Sequence, residues 1–135
     1  MHKQIFVNLA CNDLPKSKAF FEKLGLAFNP QFTNDMGACL MIGENIFAML
    51  LTRDFFGTFT SKTICDSARQ VEVLTALSCE SRAEVDDLVA KALAAGGTAP
   101  RAVQDLGFMY SHSFDDLDGH TWELVYMDPN AKPPH

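Results

Sequence analysis

The stretch FDDLDGHTWE, residues 114–123, carries the most specific pattern in this sequence. Its three aspartates and Gly119 favour a tight turn, because aspartate bonds its own backbone and glycine adopts a positive φ at no steric cost. The following residues, Thr121 to Met127, are β-branched, aromatic and aliphatic and predict a strand. We therefore interpret the aspartates and His120 as turn residues.

Working back from the turn, the second half of the chain predicts a strand, a helix and three strands. The final two strands lie around Phe108 to Phe114 and Thr121 to Met127, and a shorter one lies around Arg101 to Gln104. Before them, Ser81 is suited to cap a helix that ends at Gly96, and Val71 to Cys79 predicts the first strand. This half is therefore predicted to be a βαβββ unit.

The first half repeats that order of elements. Gln4 to Ala10 predicts a strand, and Lys16 to Leu24 predicts a helix with a polar cap before it. Three strands are then expected around residues 27–32, 38–42 and 46–51, followed by a long connection over 53–68. Because the order of elements repeats while residue identities barely do, we predict an α+β fold of two βαβββ modules in a single domain.

The predicted domain covers residues 1–128, with module one at about 1–68, module two at about 69–128, and a flexible tail over 129–135. Of the 135 residues, 47% are hydrophobic and 21% are charged, which excludes a disordered chain. The net charge of -6 without a basic stripe disfavours nucleic acid and membrane partners. Four widely spaced cysteines and a short apolar N-terminal stretch favour a cytoplasmic protein without disulfides.

The strand containing Asn8-Leu9, the stretch NDLPKSKAFFEKLGL over residues 12–26, and FDDLDGHTWE together resemble the vicinal oxygen chelate superfamily. This superfamily includes glyoxalase I, extradiol dioxygenases and bleomycin resistance proteins. The resemblance covers nearly the whole chain through Met127. It implies two βαβββ modules whose sheets curl around clefts, and a homodimer.

The resemblance also implies where metal ligands would stand, on the first and fourth strands of each module. Glu123 meets the last ligand position, while the others fall on Asn8, Met49 and Leu74. An amide oxygen is a poor ligand for zinc, nickel or iron, and Met49 and Leu74 cannot replace an imidazole or carboxylate. We therefore expect no metal site and no cofactor.

The sequence is consistent with two functions. The favoured one is a protein that binds a small organic ligand, nearer to the bleomycin resistance type than to the lyases. The alternative is a metal-dependent lyase, isomerase or dioxygenase. It would use Glu123, Asn8 and a further metal ligand at a position other than those assigned above, for which His112 is the best candidate.

The candidate catalytic residues are Glu123 and His112. Glu123 is either a general base in a cleft or a leftover of the ligand position, and His112 is either a proton shuttle or an ordinary strand histidine. Phenylalanine and methionine residues form either plain core or a pocket for a flat, apolar molecule. The candidate pocket residues are Asn8, Met49, Phe55, Phe56, Tyr110 and Trp122.

Overall fold

The computed structural model describes residues 1–131, which form two compact units, one over Met1–Asp66 and one from Ser67 onwards. The first unit contains β1 (Ile5–Cys11), α1 (Leu14–Lys23), β2 (Ala27–Asn29), β3 (Gly37–Gly43), β4 (Ile46–Thr52) and α2 (Arg53–Phe56). The second contains β5 (Thr75–Cys79), α3 (Arg82–Ala94), β6 (Gln104–Asp105), β7 (Met109–Asp115) and β8 (Thr121–Met127). Single 3-10 turns lie at Pro30–Phe32 and Gly57–Phe59. The predicted fold of two βαβββ modules is confirmed.

In module one the strand order is β1-β4-β3-β2, with β1 parallel to β4 and the other pairs antiparallel. Leu40, Ala48 and Leu50 share one face of this sheet and are at most 2% exposed, and α1 packs against the sheet. The opposite face, which we call the Asn8 face, carries the side chains that alternate with these residues. They are Phe6, Asn8, Cys39, Met41, Phe47 and Met49.

Module two has the same arrangement, with strand order β5-β8-β7-β6 and β5 parallel to β8. Helix α3 covers the face that carries Tyr110, since the Tyr110 hydroxyl donates to Asp86 of α3 over 2.6 Å. The buried Trp122 and Leu124 lie on this helix-covered face. The opposite face, which we call the Glu123 face, carries Ala76, Ser78, Ser111, Ser113, Glu123 and Val125.

Both long helices begin at side-chain caps, as the sequence predicts. Asp13 accepts a hydrogen bond from the Lys16 amide at 3.1 Å, and Ser81 accepts one from the Glu84 amide at 3.0 Å. These caps satisfy backbone donors that would otherwise lack partners at the helix start. The first helix begins two residues earlier than predicted, at Leu14.

Several predicted element limits were wrong. Val71, Val73 and Leu74 are exposed and precede β5, whose pairing with β8 starts only at Thr75. The second strand of module two, predicted around Arg101 to Gln104, is shifted to Gln104–Asp105.

The second strand of module one ends at Asn29, because its side chain accepts from the Gln31 amide and starts a 3-10 turn. The predicted long connection begins with α2, which Thr52 caps. No helix in residues 1–131 is long and apolar enough to cross a membrane. The predicted tail extends past the described residues and, with the domain limits, stays a prediction.

Candidate functional site

Each module places one residue pair at the centre of the face opposite its helix, on the two parallel strands. In module one the pair is Asn8 on β1 and Met49 on β4, and Cys39 of β3 lies on the far side of Met49. In module two the pair is Ala76 on β5 and Glu123 on β8, and Ser113 of β7 lies on the far side of Glu123. Asn8 and Ala76 stand equally far before the capping residues Asp13 and Ser81. The two pairs therefore occupy equivalent positions.

The side chains of the Asn8 face are apolar except for the Asn8 amide and the Cys39 thiol. The Phe6 and Phe47 rings stack with centroids 4.9 Å apart and planes 12° from parallel, and Phe6 is 51% exposed. Met41 pairs with Phe47, and Met49 pairs with Asn8. An exposed, flat aromatic platform flanked by flexible thioethers is well suited to stack against a flat organic molecule.

Helix α2 brings Phe55 to one end of the Asn8 face. A Cβ added at Gly37 would stand 2.9 Å from Leu51 Cδ2 and 3.9 Å from Phe55 Cδ2, so the Phe55 ring lies beside this pair. Phe55 also meets the Phe59 ring edge to face at 5.0 Å. Phe56 lies next to Phe55 in α2 and is partly exposed. The structure thus brings three of the predicted pocket residues, Asn8, Met49 and Phe55, to one face.

The Glu123 face is polar. Glu123 is half-buried, and its carboxylate makes no hydrogen bond or ion pair with any residue in the range 1–131. Ser113, which is 7% exposed, pairs with it in register, and Ser111 and Ser78 add two more hydroxyls. The methyl group of Ala76 leaves space on the β5 side. Glu123 is therefore accessible to a ligand within this face.

The other predicted site residues of module two lie on the helix-covered face. His112 pairs with Leu124, and its Nε2 lies 2.9 Å from the Arg101 carbonyl oxygen. Tyr110 donates to Asp86, and this bond raises the pKa of the Tyr110 hydroxyl. Trp122 is 1% exposed and belongs to the core. Within module two, the structure does not bring His112, Tyr110 or Trp122 together with Glu123.

No protein-family model and no curated protein matches the sequence. Among solved structures, a hypothetical protein from S. aureus is 29% identical, with TM-score 0.79 and coverage of 93% of this chain and 95% of that chain. A glyoxalase-related enzyme from Fulvimarina pelagi is 21% identical, with TM-score 0.78 over 93% and 88% of the two chains. The fosfomycin resistance protein FosX from Listeria monocytogenes is 19% identical, with TM-score 0.68 over 98% and 96%.

This chain has the vicinal oxygen chelate fold. The resemblance inferred from the sequence is thereby confirmed at the level of the fold. At 21% and 19% identity, the likeness to the two latter proteins shows a shared fold and leaves activity open.

The family resemblance drawn from the sequence would imply a metal held by side chains at the paired positions, and the residues present do not fit that role. The four positions carry Asn8, Met49, Ala76 and Glu123, of which only Glu123 is a strong donor. The fifth-strand position had been predicted at Leu74, but Leu74 precedes β5, and Ala76 takes the position. Residues 1–131 contain no group of three or more His, Cys, Asp or Glu side chains arranged to hold a metal ion.

The turn before β8, within the stretch FDDLDGHTWE, is built around Asp116. Its Oδ1 accepts from the amides of Asp118 at 2.9 Å and His120 at 3.0 Å, and its Oδ2 accepts from Trp122 Nε1 at 3.0 Å. Burial raises the pKa of the Asp116 carboxyl against the opposing effects of His120 and these donors. The sequence indicated the turn, but it gave no indication that one carboxylate ties the turn to Trp122 at the start of β8.

Proposed function

We propose that this chain binds small organic molecules, with each module using the sheet face opposite its own helix, and that it lacks the usual metal site of the superfamily. The observation that carries this proposal is the identity of the four paired positions. A transition-metal site in a protein needs at least three protein ligands, and these positions supply one carboxylate.

The metal-dependent alternative required a further ligand, with His112 as the best candidate. Register pairs His112 with Leu124, so its side chain projects from the opposite side of the sheet to Glu123. Its ring nitrogen also lies at hydrogen-bonding distance from the Arg101 carbonyl oxygen. This placement counts against a role for His112 as a partner of Glu123 in chelation or in proton transfer.

Ligand binding is supported by the composition of the Asn8 face. A sheet face exposed in a small protein usually carries polar side chains, whereas this one presents the stacked Phe6 and Phe47 rings with Met41 and Met49. Burying an aromatic platform against a flat ligand removes apolar surface from water on both partners. Such a face suits sequestration of a flat, apolar molecule better than metal-dependent chemistry.

A thermal-shift screen of flat aromatic compounds, run in chelator, tests this function. A compound at one hundred times its dissociation constant should stabilise the protein by about 2.7 kcal/mol. Phe6→Ala should abolish the stabilisation, while Phe32→Ala, which removes another exposed phenylalanine outside the Asn8 face, should leave it unchanged. The proposal fails if no compound stabilises the chain in chelator, or if compounds stabilise it only in a parallel screen with an added metal ion and no chelator.

A further inference from the structure

Glu123 occupies the centre of its face. Strand β8 lies between β5 and β7, so the carboxylate has a strand on each side, with Ala76 and Ser113 as its neighbours in register. Two other acidic groups on the last two strands and their turn are bound by their own chain: Asp116 accepts three hydrogen bonds and Asp115 accepts one from Thr121. Glu123 accepts none from residues 1–131 and is partly shielded from water.

Ser113 provides a second, independent sign of a ligand at the same place. It is only 7% exposed, and its hydroxyl forms no hydrogen bond within the described part of the chain. No side-chain nitrogen or oxygen there is both fully buried and without a partner, so the Ser113 oxygen must keep access to solvent. A nearly buried hydroxyl that stays open beside an open carboxylate forms a two-group binding site.

The charges on this face determine which ligands it can accept. Register places two carboxylates, Glu123 and Asp115, on the face, and no strand position of the face carries Lys, Arg or His. The chain as a whole has a net charge of -6. A carboxylate, phosphate or phosphonate ligand would meet like charge without a compensating cation, whereas a cation would meet an acceptor.

We infer that a ligand of the Glu123 face presents a protonated nitrogen, as an amine or amidine, to Glu123 beside the Ser113 hydroxyl. This inference rests on the proposed function and adds the chemical class of the ligand. An amidinium binds a carboxylate through two parallel charge-assisted hydrogen bonds, and a hydroxyl one residue position away accepts a further N–H. Ala76 leaves room on the other side of the carboxylate.

Three probes of nearly equal shape test this charge preference: benzamidine, benzamide and benzoate. Each is titrated to millimolar concentration into the isotope-labelled protein while the backbone amides of Ala76, Ser113 and Glu123 are followed by NMR. Benzamidine should shift these amides and bind at least about tenfold more tightly than benzoate, the ratio expected for a hydrogen bond to a charged group. Benzamide should fall between them.

Two variants separate local charge from net charge. Glu123→Gln should reduce benzamidine binding to the level of benzamide, while Glu44→Gln, which removes the same charge from an exposed turn of module one, should leave it unchanged. Circular dichroism and melting temperature confirm that both variants fold.

The inference is overturned if benzoate binds as tightly as benzamidine, if Glu123→Gln has no effect, or if no probe shifts these amides. Equal binding of all three probes at this face would overturn the charge preference and leave the proposed function standing. The proposed function fails separately, when no compound in the thermal-shift screen stabilises the protein.

Discussion

Replacing Gly119 by alanine tests the turn that leads into the Glu123 strand. Gly119 has φ +84°, a region that L side chains rarely adopt. A Cβ there would also stand 2.6 Å from the Ser67 carbonyl oxygen, 2.7 Å from Ala68 Cα and 2.9 Å from Ala68 N. All three atoms belong to backbone, which cannot move aside as a flexible side chain can. The substitution must therefore displace the segment at Ser67–Ala68.

The loss of stability has two parts. The positive φ costs about 1–2 kcal/mol for a residue with a Cβ. Displacing Ser67 also weakens the hydrogen bond from its hydroxyl to the Asp118 carbonyl oxygen, 2.6 Å long, and a forced overlap costs about 1–3 kcal/mol. We expect Gly119→Ala to lower the free energy of unfolding by about 2–5 kcal/mol.

Gly107→Ala is the matched control, because Gly107 has φ +82° and a Cβ there meets no atom of the described chain within 4 Å. It should cost only the conformational part, about 1–2 kcal/mol. Urea unfolding at 25 °C measures both values, with Ser67→Ala as a milder variant should Gly119→Ala fail to fold. Equal losses for the two glycine variants, or an unchanged stability in Ser67→Ala, would refute the packing of Ser67 on this turn.

The remaining predictions concern the core and the thiols. Trp122→Phe should cost about 2–4 kcal/mol in urea unfolding, because it leaves Asp116 Oδ2 buried without its indole donor; a loss below about 1 kcal/mol would contradict this. Exposed Cys65 should react with a thiol reagent before the three buried cysteines, and mass spectrometry of the labelled protein measures this order. A first reaction at Cys79 would contradict the prediction. Burial and Glu84 raise the Cys79 pKa from 9.0 to about 11.

Because the folded state favours the neutral Cys79 thiol, its stabilisation is complete below pH 9.0 and is lost as pH rises towards 11. Cys79→Ala should remove this pH dependence of unfolding, which a urea series from pH 8 upward would show. An unchanged dependence in the variant would contradict the assignment to Cys79.

The strands with both a clear pattern and nearby turn signals were predicted well. The last strand, Thr121 to Met127, was predicted with its observed limits, because the turn before it and the apolar pattern within it agree. The first strand of module two was not, since exposed Val71 and Val73 look like strand residues in sequence and nothing in the sequence shows that pairing with β8 starts only at Thr75.

The candidate site was predicted in part, and register explains the rest. Alternation within one strand shows which side chains share a face, so Asn8 and Glu123 could be placed on their strands. Which face of β7 adjoins Glu123 depends on how β7 pairs with β8, and the sequence does not specify this. The pairing selects Ser113 and places His112 on the opposite side. The fifth-strand position lies at Ala76 and not at the predicted Leu74, because register cannot be fixed from the sequence to better than one or two residues.

The metal content of the purified chain bears most directly on the claim that one carboxylate stands where a chelating site would need several donors. The protein is equilibrated with zinc, nickel, manganese or iron, passed through a desalting column and analysed by plasma mass spectrometry. We predict far less than one ion per chain, with no difference between the native protein and Glu123→Ala. One ion per chain, removable by chelator and absent from Glu123→Ala, would contradict the account.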